Sequence, residues 1–68
     1  MAENLLESIL ITEGITIAEL SRSTGLSQGF LSRVKSKKKS GTPVSQGKIV
    51  RGINTILKIE KYKHSDIF

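Results

Sequence analysis

Two helix-start signals stand eleven residues apart, Thr16-Ile17-Ala18-Glu19 and Ser27, with Gly25 between them. In the first, the Thr16 hydroxyl can accept an amide of the opening turn while Glu19 reaches back to the Thr16 amide. In the second, Ser27 can cap a helix running from about Gln28 to Ser36. The interval holds one short helix, Ile17 to Ser23, and a sharp turn at Gly25, where glycine reaches positive φ without a Cβ clash. Leu20, Leu26 and Leu31 can meet as one small core, and Ser21 is small where the two helices cross.

The flanks read as helices too. Asn4-Leu5-Leu6-Glu7 fits a capping box, and Leu5, Leu6, Ile9 and Leu10 recur at helical spacing up to the stop at Glu13-Gly14, predicting helix one from Asn4 to about Glu13. Pro43 breaks the chain, and Ser45 is expected to cap helix four, Gln46 to about Leu57, with Ile49, Val50, Ile53, Ile56 and Leu57 inward. Gly47 and Gly52 weaken that helix by roughly 1 kcal/mol each relative to alanine, and both are expected to permit close packing. His64–Phe68 is expected to form a terminal helical turn that packs Ile67 and Phe68 on the core. No stretch alternates as a strand does. The expected fold is all-α, four to five short helices in a single domain spanning residues 1–68, with a helix-turn-helix unit at 16–36.

A chain of 68 residues buries only about 60% of its unfolded surface, so its stability margin is thin. There is no cysteine, so neither a disulfide nor a Cys-ligated metal can add to it. His64 is the sole histidine and has no ligands clustered beside it, so no metal or other cofactor is expected. No apolar run approaches the ~18 residues of a membrane span, and the opening M-A-E-N is acidic, unlike a signal peptide, which leads to the expectation of a cytoplasmic protein. Catalysis is disfavoured: there is no Ser/His/Asp set, no convergent carboxylate pair and no phosphate-cradling glycine loop. Ser27-Gln28-Gly29 is not a nucleophile elbow, since no strand precedes it.

Charge points to a polyanionic partner. The formal net charge is +5 and the isoelectric point near 9.9, a balance that bears on association and not on fold. The distribution is uneven. Residues 1–20 hold Glu3, Glu7, Glu13 and Glu19 with no base, whereas 33–39 hold Arg33, Lys35, Lys37, Lys38 and Lys39 with no acid.

With Leu20, Leu26 and Leu31 inward, Gln28, Gly29, Ser32 and Arg33 point outward from the second helix of the pair. Such a helix can enter a DNA major groove, where Gln can contact adenine and Arg guanine bidentately. Gly29 lets backbone approach closely. Arg33 could equally bind a phosphate or pair with Glu19, and Phe30 could touch a thymine methyl or pack against helix four. Lys37, Lys38 and Lys39 follow where phosphates would run, although a charge run is ordinarily a solvated face.

The stretch I-T-I-A-E-L-S-R-S-T-G-L-S-Q-G-F-L-S-R-V resembles the helix-turn-helix of the lambda Cro/repressor-type (XRE-like) DNA-binding family. That family commonly reads T-x-x-x-L-A-x-x-x-G-[VL]-S-x-x-x-[IL]-S, and Thr16, Leu20, Ser21, Gly25, Leu26, Ser27, Leu31 and Ser32 stand in that order here. The similarity continues through a basic loop and Pro43-Val44-Ser45, covering roughly residues 5–59. It implies a five-helix domain, sequence-specific binding of duplex DNA, and usually a homodimer on a near-palindromic operator. Base contacts are then expected from Gln28, Gly29, Ser32 and Arg33, and phosphate contacts from Thr16, Ser27, Lys37, Lys38, Lys39 and Ser45. Two departures stand out. Ile17 replaces a glutamine that often touches phosphate and braces the first recognition glutamine, and Lys35-Ser36-Lys37 replaces an E-x-G that ends helix three. The function implied is a prokaryotic or phage regulator, a repressor acting by operator occupancy, its dimer forming through helix four or five. The alternatives are an antitoxin or anti-regulator gripping a partner protein through the same fold, and charge-driven nonspecific nucleic-acid binding.

Overall fold

Helices of eight residues do not persist alone in water, because nucleation costs more than so few hydrogen bonds return. Three of the helices here have that length, so each depends on the apolar face it lends to a shared core. The computed structural model describes residues 4–68. The M-A-E part of the opening segment, and with it part of the signal-peptide argument, lies outside the described residues. The elements are α1 Leu6–Glu13, α2 Ile17–Thr24, α3 Gln28–Lys35, α4 Pro43–Leu57 and α5 His64–Ile67, with no strand among the described residues. The fold is all-α. No helix among the described residues is long and apolar enough to cross a membrane.

The long α4 is the spine. α2 packs mainly on α4 and then on α3, α5 closes over α4, and α1 touches α3. Leu6, Leu20, Leu31, Val34, Ile49, Ile53 and Ile67 are fully buried at the centre. Every helix thus contributes at least one side chain to a single core. Ile56, Leu57 and Phe68 flank that core half-buried.

α2 and α4 approach closely at Gly52. The Ser23 hydroxyl donates to the Gly52 carbonyl at 3.1 Å, and a Cβ on Gly52 would lie 2.5 Å from Thr24 Cγ2. The expectation of close packing holds there but not at Gly47, where nothing lies within 4 Å of an added Cβ.

Two helix starts differ from the sequence reading. Asn4 and Glu7 form no capping box: α1 begins at Leu6, Asn4 is buried, and Glu7 is exposed. The Asn4 side chain turns inward instead, donating to the Val34 carbonyl at 2.9 Å and accepting the Leu6 amide at 3.0 Å. α4 begins at Pro43, three residues before the expected start, and its cap is Thr42. Thr42 Oγ1 accepts the Ser45 amide at 3.2 Å, and Ser45 Oγ accepts the Thr42 amide at 2.9 Å. Pro43 opens this helix because a first-turn residue has no intrahelical use for the N–H that proline lacks.

A polar strap holds the segment between α4 and α5. Asn54 Oδ1 accepts the amides of Lys61 and Tyr62 at 3.1 and 3.0 Å, and its Nδ2 donates to the Tyr62 carbonyl at 2.9 Å. Lys61 Nζ then reaches Glu13 at 2.6 Å, and the Tyr62 hydroxyl donates to the same carboxylate oxygen. Hydrogen bonds from Lys61 and then Tyr62 lower the Glu13 pKa.

Candidate nucleic-acid interface

The turn between α2 and α3 is locked by side-chain hydroxyls. Thr16 Oγ1 accepts the Glu19 amide at 3.1 Å while Glu19 Oε1 accepts the Thr16 amide at 3.1 Å, completing the predicted capping box. At the other end of α2, Gly25 has φ 76°, and its amide donates to the Ser21 carbonyl at 2.9 Å. Ser21 Oγ donates to the Leu26 carbonyl at 2.6 Å, and the Leu26 amide donates to Thr24 Oγ1 at 3.1 Å. Ser27 Oγ then accepts the Phe30 amide at 3.1 Å, starting α3. A short hydroxyl at the helix crossing is therefore both a spacer and a clamp.

Leu31 and Val34 anchor one side of α3 at zero exposure, with Leu20 beneath and Leu26 half-buried beside them. The opposite side carries Gln28, Gly29, Ser32 and Arg33, all four exposed. Their spacing places them on one helical face, and eight residues span ~12 Å, about the width of a B-DNA major groove. An added Cβ at Gly29 would have no neighbour within 4 Å, so this part of the face is open. Arg33 forms no ion pair among the described residues, and Glu19 is occupied by the Thr16 cap. The Arg33–Glu19 pairing is thus not formed.

Lys37, Lys38 and Lys39 follow α3 in an exposed loop. Lys37 lies in the left-handed region at φ 66°, the conformation that a glycine at the end of a helix normally supplies. The Lys38 and Lys39 amides both turn back to the Arg33 carbonyl, at 2.8 and 3.3 Å. Lys39 Nζ sits 5.8 Å from the centroid of the half-buried Phe30 ring, within cation–π range. Phe30 packs against the core, but its rim faces Gly41 in the loop.

Thr16, Ser27 and Ser45 bring hydroxyls to three helix starts. Thr16 and Ser27 are exposed and Ser45 is half-buried in its capping box with Thr42. Ser27, Phe30, Lys38, Lys39, Thr42 and Ser45 line one open groove, which Thr16 does not join.

Electrostatically the face is one-sided. No acid occurs between Glu19 and Glu60, a stretch holding nine of the chain's eleven bases. Sequence reasoning missed Thr42 as the cap of α4, and a threonine directly before a proline was the available signal. It also missed Gln46, whose side chain reaches back to the loop.

A family model for the Cro/C1-type HTH DNA-binding domain matches residues 5–46, from the start of α1 into α4. Comparison with curated proteins returned no match, and comparison with solved structures returned none either.

Proposed function

Since the chain belongs to the Cro/C1-type helix-turn-helix DNA-binding family, we propose that it is a transcriptional repressor acting by operator occupancy. In this reading residues 1–68 act as one DNA-binding domain of a prokaryotic or phage regulator. Two copies occupy a near-palindromic operator whose half-sites lie about one helical turn, ~34 Å, apart. The exposed face of α3 carries the reading: Gln28 and Arg33 supply bidentate donors and acceptors for base edges, while Ser32 and the bare Gly29 allow close approach. Lys37, Lys38 and Lys39 lie along phosphates, where they add affinity without sequence preference. Thr16, Ser27 and Ser45 are the accompanying phosphate contacts at helix starts.

A reporter gene tests the regulatory sign. With a selected binding site overlapping the promoter, expression falls when the protein is supplied and recovers when Gln28→Ala and Arg33→Ala are introduced together. Expression that rises with the wild-type protein, or stays level while the site is bound, contradicts repression by occupancy.

A further inference from the structure

We propose that Gln46, buttressed by His64, positions the lysine loop for phosphate contact; the inference rests on the reading that Lys38 and Lys39 touch DNA. The loop joining α3 to α4 is held at both ends. At the α3 end the Lys37 amide donates to the Val34 carbonyl at 3.1 Å, and the Lys38 and Lys39 amides to Arg33. At the α4 end Thr42 and Ser45 cap one another. Between these lie Ser40 and Gly41, and Gly41 has φ 76°, so the middle of the loop has the conformational freedom of glycine. Gln46 spans that gap, its Nε2 donating to the Ser40 carbonyl at 2.7 Å.

The direction of the Gln46 amide decides whether this bond exists. Reversed, the amide would face the Ser40 carbonyl with its own oxygen. The Ser40 carbonyl can only accept, so it holds the amide with Nε2 towards the loop and Oε1 towards His64, whose Nε2 lies 2.8 Å away. An amide oxygen only accepts, so His64 Nε2 carries a proton, as it does in one neutral tautomer and in the imidazolium. His64 is held in turn by Phe68, whose ring lies 5.4 Å away and whose amide donates to the His64 carbonyl at 2.9 Å. The neighbouring Ile67 is buried in the core. A continuous line of contacts thus runs from the core through α5 and Gln46 to the residue after Lys39. A lysine on an ordered backbone meets a phosphate without the entropic cost of fixing the loop at the moment of binding. On this account Gln46 is a positioning residue that never touches DNA.

Gln46→Met keeps the length and packing of the side chain and removes both bonds. In the free protein, backbone order at residues 38–41, read by nitrogen relaxation, should fall while the melting temperature stays near that of wild type. Affinity for operator and random duplexes alike should drop roughly tenfold, the cost of ordering a residue or so of backbone. In a protein already carrying Lys38→Ala and Lys39→Ala, the same substitution should have no further effect on binding. If Gln46→Met melts early, His64→Ala removes only the outer bond and should show the same pattern at smaller amplitude. Unchanged loop order, unchanged affinity, or an equal loss in the background lacking Lys38 and Lys39 would each overturn the inference. A protein lacking Lys38 and Lys39 that kept the wild-type salt dependence would instead remove the phosphate-contact reading, and the inference with it.

Discussion

The Asn4 side-chain amide donates to the Val34 carbonyl at 2.9 Å, joining the first described residue to the last turn of α3. Its oxygen meanwhile accepts the Leu6 amide, so one buried side chain starts α1 and holds the exit of α3. Asn4→Ala leaves both partners without their hydrogen bonds. We expect a loss of about 1–3 kcal/mol, seen as a melting temperature lower by ~4–8 °C per kcal/mol in a chain this small. An unchanged melt by circular dichroism would show that Asn4 does not hold these two helices.

The two α4 glycines should respond with opposite signs. Gly47→Ala meets no neighbour, so it should stabilise by ~0.5–1 kcal/mol through helix propensity. Gly52→Ala gains the same propensity but drives a methyl into Thr24, and overpacking of that kind costs ~1–3 kcal/mol. Net destabilisation at Gly52 and stabilisation at Gly47 in denaturant titrations would establish the α2–α4 approach. Equal gains at both positions would contradict it.

Lys37 sets stability against binding. Lys37→Gly relieves a left-handed backbone at a residue with a Cβ, a gain of about 1 kcal/mol. The same change removes a cation beside α3. If Lys37 contacts phosphate, the slope of log affinity against log salt should become shallower by ~0.9 per subunit. Lys58, also left-handed at the far end of α4, serves as the comparison: Lys58→Gly should raise stability and leave the slope alone. Parallel salt titrations for wild type and Lys37→Gly would assign Lys37 to solubility.

Acid should loosen the strap between α1 and the segment before α5. Hydrogen bonds from Lys61 and Tyr62 lower the Glu13 pKa below its ordinary value of 4.5. A lowered carboxylate contributes stability that is fully present above that ordinary value and is lost as pH falls through the folded-state value. Below pH 4.5 the wild-type melting temperature should therefore fall more steeply than that of Glu13→Gln, the two curves converging in acid. A constant offset between the curves down to pH 2 would remove Glu13 from the acid response.

The helix-turn-helix unit was legible because its signals close locally. Thr16 finds Glu19 three residues on, Ser27 finds Phe30 three residues on, and Gly25 needs only its own φ. Asn4 was misread for the opposite reason: it has the composition of a cap, but its partner Val34 is thirty residues away. Pro43 reads as a breaker in isolation and becomes a helix opener once Thr42 is seen to cap the turn. The exposed face of α3 was legible, since burying Leu31 and Val34 dictates that Gln28, Ser32 and Arg33 point out. The course of the lysine loop was not, because Gln46 reaches back to Ser40 from inside α4 and makes its other bond with His64, eighteen residues further on.

Selection of bound sequences from a random duplex pool tests most directly whether α3 reads DNA sequence. The account predicts enrichment of a near-palindromic site with half-sites about one helical turn apart. Repeating the selection with Gln28→Ala should relax the preference at one base pair in each half-site, a cost of about 1–3 kcal/mol on the best sequence with little loss on random DNA. A pool that stays flat while the protein binds it would contradict sequence reading by α3 and leave only attraction between basic side chains and phosphate.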